Sequence, residues 1–341
     1  MGRWTESSQT ALQGLGHHVQ MFYYDEALHE YRAIRLLAMS AVWSQQRRGA
    51  IHTELHRRFL AVKHRSLAKL ARDFSPQLVV VMKGETIPLS ILEQLRFQLR
   101  VPIVAWWVDN PFRFPETVDT ISFYDRFFIF DRAYMPQLKA VGVRRITFLP
   151  CACDPSIYHP MAVTSSDRRR YTCEVAFVAG FYHPREQLVE HMAGLDVAIW
   201  GPGWKFPEAQ PAIQAVGKHA LRGKKLDSTL AARLYNVAKV CINIHHPQSK
   251  YNGLNTRTFE VLASGGFALI DSFPGTHELL EPGKEVVCYG SFEEARELTE
   301  YYITQSETRA EIGNRGRLRV LAKHTYRHRM ETLLDSVAEF L

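Results

Sequence analysis

The stretch KVCINIHHPQSKYNGLNTRTFEVLASGGFALID, residues 239–271, carries the reading of the fold. Lys239 to Ile244 and Phe267 to Asp271 are short apolar runs of strand length. Between them lie a polar exit, Asn243-Ile244-His245-His246, a loop at Asn252-Gly253-Leu254-Asn255, and a helix that runs out at Ser264-Gly265-Gly266. Two buried strands joined through a helix are the unit of a parallel sheet covered on both faces. Ligands of such sheets gather at the carboxyl ends of the strands, so this loop and the first turn of its helix are the first place to look for function.

The same alternation continues in both directions. Towards the C-terminus come a strand at Val286 to Tyr289 and helices near Phe292 to Ile303, Ser306 to Ala322 and Thr325 to Phe340. Upstream, strands at Cys173 to Val178 and Asp196 to Trp200 complete one α/β series. Pro150 to Arg170 is turn-rich and then basic, and reads as a linker. Before it, strands at Gln77 to Met82, Val101 to Val108, Arg126 to Phe130 and Ile146 to Leu149, with a helix at Leu89 to Leu99, form a second series. Near the start, Ser7 or Ser8 is expected to cap a helix bearing Ala11, Leu12 and Leu15, with Gly16 ending it and a strand following through Val19, Met21 and Tyr23. No apolar strand precedes Trp4, where a doubly wound sheet has a central one, so the first domain is expected to be reduced or to start upstream of Met1. The expected organisation is α/β throughout: a Rossmann-like domain over 1–152, a second over 153–324, and a terminal helix over 325–341 packing back on the first.

Composition narrows the class. A chain of 341 residues, 46% hydrophobic and 23% charged, suits two folded domains. No run approaches the roughly 20 apolar residues that span a bilayer, and no export signal is legible, which places the chain in the cytoplasm. Cys151, Cys153, Cys173, Cys241 and Cys288 are scattered without metal-ligand spacing and read as buried free thiols, and no metal site is expected. The net charge of +7 gathers on Arg47, Arg48, Arg57, Arg58, Lys63, Arg65, Lys69 and Arg72. A solvated helix face is the ordinary reading of residues 47–72; the functional one is attraction to an anionic acceptor or peripheral contact with a membrane. Without interleaved aromatics or a nucleic-acid module, this stretch does not mark a nucleic-acid binder. No GxGxxG follows a first strand, which speaks against a nicotinamide dehydrogenase.

Four places after strands of the second half carry candidate chemistry. Gly180-Phe181-Tyr182-His183-Pro184-Arg185 combines a glycine turn, a helix start and a guanidinium, a set suited to a diphosphate, although a plain βα turn reads the same. In Trp200-Gly201-Pro202-Gly203-Trp204 the glycines Gly201 and Gly203 permit close backbone approach, and the indoles, Trp204 included, offer flat faces for a base or sugar. The exit ending in His246 could line a cleft, although a satisfied histidine at a strand end is the commoner case. The loop Asn252, Gly253, Leu254 and Asn255 can present backbone N–H groups, and Arg257 and Glu260 share a helix face, either as a weak surface ion pair or as ligand contacts. A cation in the first turn opposes the helix dipole, which favours the phosphate role for Arg257. Lys224 and Lys225 are weaker phosphate candidates. In the first half, Lys83-Gly84-Glu85 and Asp109-Asn110 follow strands; Asp109 or Glu85 is the candidate base or acceptor-positioning group, and either could instead cap the next element.

The segment NGLNTRTFEVLASGGFALIDSFPGTHELLEPGKEVVCY, residues 252–289, closely resembles the C-terminal module of the CgeB-like (spore-maturation-like) glycosyltransferases, relatives of the group-1 GT-B families. LRGKKLDSTLAARLYNVAKVCINIHH and KHTYRHRMETLL extend the likeness, and PQLVVVMKGETI, VAWWVDNP, YDRFFIFD and LPCACDPSIYHP resemble the family more loosely. The resemblance implies two Rossmann-like domains facing across a cleft, with C-terminal helices, and a metal-free hexosyltransferase-like reaction. A nucleoside-diphosphate-sugar, UDP-sugar above others, would serve as co-substrate on the second domain and a glycan, lipid or protein acceptor on the first. Related retaining families carry a Glu, seven residues and a second Glu here; Glu260 matches the second, which would hold the donor ribose, while Asn252 stands at the first. No other cofactor is implied. A nucleotide-sugar epimerase or hydrolase, and a non-catalytic sugar-nucleotide or glycan-binding protein, are the competing readings.

Overall fold

The computed structural model describes residues 3–24, 45–85, 87–113 and 115–340. Its chain forms two compact units: a larger one of residues 1–15, 129–135 and 148–334, and a smaller one of residues 16–128, 136–147 and 335–341.

The larger unit is built on six parallel strands: β5 (Val175–Val178), β6 (Val197–Trp200), β7 (Leu221–Gly223), β8 (Val240–Asn243), β9 (Ala268–Asp271) and β10 (Val287–Tyr289). Their order is β10-β9-β8-β5-β6-β7. The chain winds outward from β5 through β6 to β7, then returns to β8 and winds the other way. The reversal falls between β5 and β8, paired at Val175 with Val240, and leaves a crevice at their carboxyl ends. The central strands are buried without alternation, as a sheet covered on both faces requires. Phe177, Ile199, Trp204, Ile213, Ile242 and Leu269 belong to the core around them. β7 was not legible in sequence because it is a three-residue edge strand with an exposed arginine at its centre.

The helices of this unit start where side chains can accept their first N–H groups. Thr164 and Asp167 form a reciprocal capping box on α6 (Ser165–Tyr171), inside the stretch expected to be linker. Asp227 caps α9 (Ser228–Val237), Asn255 caps α10 (Thr256–Ala263) and Ser291 caps α11 (Phe292–Thr304). α7 (Arg185–His191) and α8 (Gln210–Val216) follow β5 and β6, and α12 (Ser306–Lys323) and α13 (Tyr326–Val337) close the series. α1 (Trp4–Gly14) also belongs here, with a difference from expectation: Ser7 and Ser8 lie inside the helix and are buried. Ser7 donates to Asp154 at 2.7 Å and Ser8 to the carbonyl of Trp4 at 2.7 Å, so the hydroxyl face is the packed one. Gly16, at φ +91°, follows the helix end as expected.

The smaller unit carries β1 (Val79–Met82), β2 (Ile103–Trp107), β3 (Arg126–Ile129) and β4 (Ile146–Phe148) in strictly sequential order, the last residues of β3 and β4 clustering with the larger unit. Among the described residues this sheet winds one way only and has no reversal. α2 (Gln45–Phe74), α3 (Leu89–Leu99), α4 (Pro115–Ile121) and α5 (Met135–Ala140) accompany it in the chain. The strand expected through Val19, Met21 and Tyr23 is irregular chain instead. Its Tyr23 carbonyl accepts a 2.7 Å hydrogen bond from Lys63 of α2. Lys63, read in sequence as part of a solvated basic face, is therefore buried, with its ammonium 5.5 Å from the Phe22 ring centroid. Arg58, Lys69 and Arg72 are exposed; the side chains of Arg47, Arg48 and Arg57 lie outside what is described. Glu339, from the terminal segment, meets Arg126 at 2.7 Å and Arg145 at 3.2 Å. No helix of the described residues is long and apolar enough to cross a membrane.

Candidate functional site

The reversal point of the six-stranded sheet is lined by the segment after β5 and the segment after β8, and both turn polar there. Arg185, at the start of α7, is 8% exposed. It donates to the Gly180 carbonyl at 2.6 Å and to the Ile244 carbonyl at 3.3 Å, while its Nε has no partner. Its guanidinium lies 4.0 Å from the centroid of the Tyr182 ring. Among the described residues no carboxylate forms an ion pair with it. Burial, and next the positive charge of Arg257, hold its pKa down to about 10. A buried cation that faces a second cation, with Asp271 acting on it but forming no ion pair, is costly in an empty site and favourable once an anion arrives.

Arg257 lies in the first turn of α10, and its Nη1 donates to Asn243 Oδ1 at 2.9 Å. It does not pair with Glu260, so the surface ion-pair reading of these two residues falls away. Asn243, 2% exposed at the end of β8, also donates to Asn255 Oδ1 at 3.1 Å and to Thr258 Oγ1 at 3.2 Å, tying strand end to helix start. Glu260 is half-buried; burial raises its pKa, against the lowering influence of Arg257 and of hydrogen bonds from Tyr158 and Thr256.

The tight glycine turns hold this crevice in shape. A Cβ on Gly201 would lie 1.9 Å from the Ala179 carbonyl oxygen, so only glycine lets the ends of β5 and β6 meet this closely. The indoles expected as platforms are not surfaces: Trp200 is 5% exposed and Trp204 1%, the latter donating to the Ala179 carbonyl at 2.7 Å and standing edge-on to Phe177. Trp204 is thus part of the core beneath the crevice. His246 is exposed, and its ring lies 4.8 Å from that of Tyr182. Its neighbour His245 is the satisfied histidine, buried with Nδ1 2.5 Å from Asp271 and Nε2 3.3 Å from Thr258. Gly203 takes φ +87° on the far side of the β6 turn, and Gly180 lies against Pro202. Lys224 and Lys225 are exposed past the end of the edge strand β7.

The loop before α10 differs in detail from the sequence reading. Asn252 is wholly buried, accepting from the Arg132 backbone at 3.0 Å and donating to Glu278 at 3.0 Å. Leu254 is buried as well. The N–H groups of Lys250 and Tyr251 point to Asp131, at 2.7 and 3.1 Å, rather than outward. Asp131 was missed in sequence because it lies 119 residues from Lys250 and no local motif marks it. Asp271 was missed for the same kind of reason. It borders a cavity of about 340 Å³ beside Ile244, Ser272, Tyr289 and Ser291, at the carboxyl ends of β8, β9 and β10.

The smaller unit brings its own candidates together. Lys83 Nζ lies 2.5 Å from Asp109 and 3.1 Å from Glu85, past the ends of β1 and β2. Burial works to lower the Lys83 pKa, but Asp109 and then Glu85 prevail and hold it above the ordinary value. Asp109 therefore faces a fixed cation. Gly84, at φ +82°, packs under Val81 and the Tyr124 hydroxyl, and Asn110 Oδ1 accepts from Phe112 N at 2.9 Å as a turn cap. Among the described residues no group of three or more His, Cys, Asp or Glu side chains could hold a metal ion.

This fold is that of the GT-B glycosyltransferases. The glycosyl transferase-like family model matches residues 185–335, from Arg185 through α10 to α13. No curated protein matches the chain by sequence. Among solved structures, a glycosyltransferase from Rickettsia africae superposes with a TM-score of 0.66 at 9% identity, covering 99% of this chain and 94% of that one. HepE of Anabaena, solved with UDP-glucose, gives 0.61 at 13% identity over 81% and 82% of the two chains. The sucrose-phosphate synthase of Thermosynechococcus elongatus gives 0.62 at 14% identity over 81% and 76%.

Proposed function

We propose that this chain is a glycosyltransferase that moves a sugar from a nucleoside-diphosphate-sugar to an acceptor hydroxyl, with the donor diphosphate seated at the reversal point of the six-stranded sheet. The observation that carries this reading is Arg185: a guanidinium 8% exposed, with no ion-paired carboxylate among the described residues, at the strand ends where α/β sheets take their ligands. Arg257 and the amino end of α10 add positive potential on the other side of the crevice. Breaking the sugar–phosphate bond places negative charge on the departing nucleoside diphosphate. Two fixed cations and a helix dipole stabilise that charge more than they stabilise the bound donor, which is what accelerates transfer. UDP-sugar is the favoured donor, because HepE was solved with UDP-glucose on the same fold.

Finer assignments belong to the same proposal. Glu260 holds the donor ribose, and Lys83, Glu85, Asp109 and Asn110 on the smaller unit contact a glycan, lipid or protein acceptor. In this reading Asp109, neutralised by Lys83, positions the acceptor rather than acting as a strong base. Residues 252–289 and the flanking likenesses support a place among the CgeB-like transferases, with the larger unit taking the donor and the smaller unit the acceptor. The reaction is proposed to run without metal, in the cytoplasm or at the membrane's inner face.

The test is a thermal-shift screen of UDP, GDP, ADP and their sugar conjugates, followed by product analysis. A nucleotide that raises the midpoint, whose sugar conjugate then releases the nucleoside diphosphate only when an acceptor is added, is the expected result. An isomerised donor would identify an epimerase. No response to any nucleotide at millimolar concentration would overturn the proposal.

A further inference from the structure

We infer that the outer face of α2 is a docking surface for an anionic lipid membrane. Eight Lys and Arg but only two acids, Glu54 and Asp73, fall within Gln45–Phe74, so most of the chain's net charge of +7 sits on this one helix. The fold sorts these charges by face. Arg58, Val62, Arg65, Lys69 and Arg72 are all exposed, and their alternating spacing of four and three residues sets them on a stripe ~80° wide and about 21 Å long. Lys63 and Ala71, on the opposite side of the helix, are buried, and the Lys63 ammonium is committed to the Tyr23 carbonyl. Arg58 pairs with Glu54 at 2.7 Å, whereas Arg65, Lys69 and Arg72 have no ion pair among the described residues.

A solvated helix face ordinarily alternates its signs, so that neighbouring charges offset one another. Here Arg65 and Lys69, four apart, and Lys69 and Arg72, three apart, are like charges on one face, a mutual repulsion that an external anion relieves. The apolar part of the face distinguishes a bilayer from another polyanion. Val62 lies inside the stripe at 36% exposed, and α3, which packs against α2 within the smaller unit, carries Phe97 at 81% exposed. The stripe itself offers no aromatic ring to a nucleobase. Val62 and Phe97 gain instead from the boundary between headgroups and acyl chains, where a helix of this kind lies in the plane of the membrane. The cations suit the same depth, because their methylene stems lie along apolar surface while their charged ends reach the lipid phosphates.

The experiment is cosedimentation of the full chain with vesicles of phosphatidylcholine alone, and of phosphatidylcholine and phosphatidylglycerol in equal parts, with a mixed-sequence RNA duplex titrated in parallel. Wild type is compared with the triple variant Arg65→Gln, Lys69→Gln, Arg72→Gln and with Phe97→Ser. Wild type should bind the anionic vesicles and not the neutral ones, at about 0.1 M salt, and be released towards 1 M. Each cation near a charged bilayer strengthens binding by about fivefold, so the triple variant should bind ~100-fold more weakly. Phe97→Ser should lose roughly tenfold. All four side chains are exposed, so the unfolding midpoints should match wild type, which separates lost docking from a lost fold. Wild type left in the supernatant with anionic vesicles overturns the inference, as does a triple variant that binds them undiminished. RNA bound as tightly as the vesicles, with Phe97→Ser indifferent, overturns it in favour of a general polyanion surface. No nucleotide-sugar enters the experiment, so its outcome is independent of the transferase reading.

Discussion

Replacing Arg185 by Met separates a ligand anchor from a structural arginine, because the two roles predict opposite signs. In the folded protein its pKa is held down to about 10, first by burial and then by Arg257, which corresponds to ~3 kcal/mol of unfavourable charge burial near neutrality. The sign is that of a depressed base: the penalty is fully present below about pH 10 and is relieved only above it. Arg185→Met removes this penalty and fills part of the space with an apolar chain. It also deletes the bonds to the Gly180 and Ile244 carbonyls, at about 1 kcal/mol each. The net expectation is a gain on the order of 1 kcal/mol without ligand, or a rise in midpoint of ~2–4 °C. Nucleoside-diphosphate binding should fall by about 3 kcal/mol, roughly a hundredfold, for the loss of a charge-assisted phosphate contact. Urea unfolding of the empty protein and calorimetry with UDP measure the two halves. A variant destabilised by more than ~2 kcal/mol that binds UDP as wild type does would refute the reasoning and make Arg185 a structural group.

Two further outcomes follow from burial. Trp204→Phe should lower stability by ~1–3 kcal/mol, through the lost Ala179 bond and the space left in the core, while leaving nucleotide affinity unchanged; a selective affinity loss would restore the platform reading. His324 is held neutral, its pKa pushed down to about 3 by burial and by Arg329, with Nε2 donating to the Leu279 carbonyl at 2.9 Å. Its folded pKa lies below its unfolded one, so stability is lost as pH falls from ~6.5 towards 3, at ~1.4 kcal/mol per pH unit. His324→Gln should flatten that decline by about 3 kcal/mol between pH 7 and 4.5 in urea titrations, and an unaltered slope would exclude His324 as its source.

Secondary structure was legible wherever a single segment carried its own periodicity. Nine of the strands followed from short apolar runs, since a strand buried on both faces needs little beyond local apolarity to declare itself. Val19 to Tyr23 shows the limit: its alternation suits a strand, yet the carbonyl of Tyr23 goes to Lys63 and the segment joins no sheet. Ser7 and Ser8 show it again, since a serine near a helix start is a cap or a packed interior residue depending on a partner, Asp154, far along the chain.

By itself the sequence determined the α/β class and the order of nine of its strands. It also placed Arg185, Arg257 and Glu260 just past strand ends, because apolar period and turn chemistry are local properties. Tertiary structure alone decided the order β10-β9-β8-β5-β6-β7, and so which strand ends form the crevice. It buried Trp204, sealed Asn252 between Arg132 and Glu278, and brought Asp131 to the loop at Lys250. Each of these depends on pairing between residues distant in sequence, where a side chain's role is set by what surrounds it rather than by its chemical type.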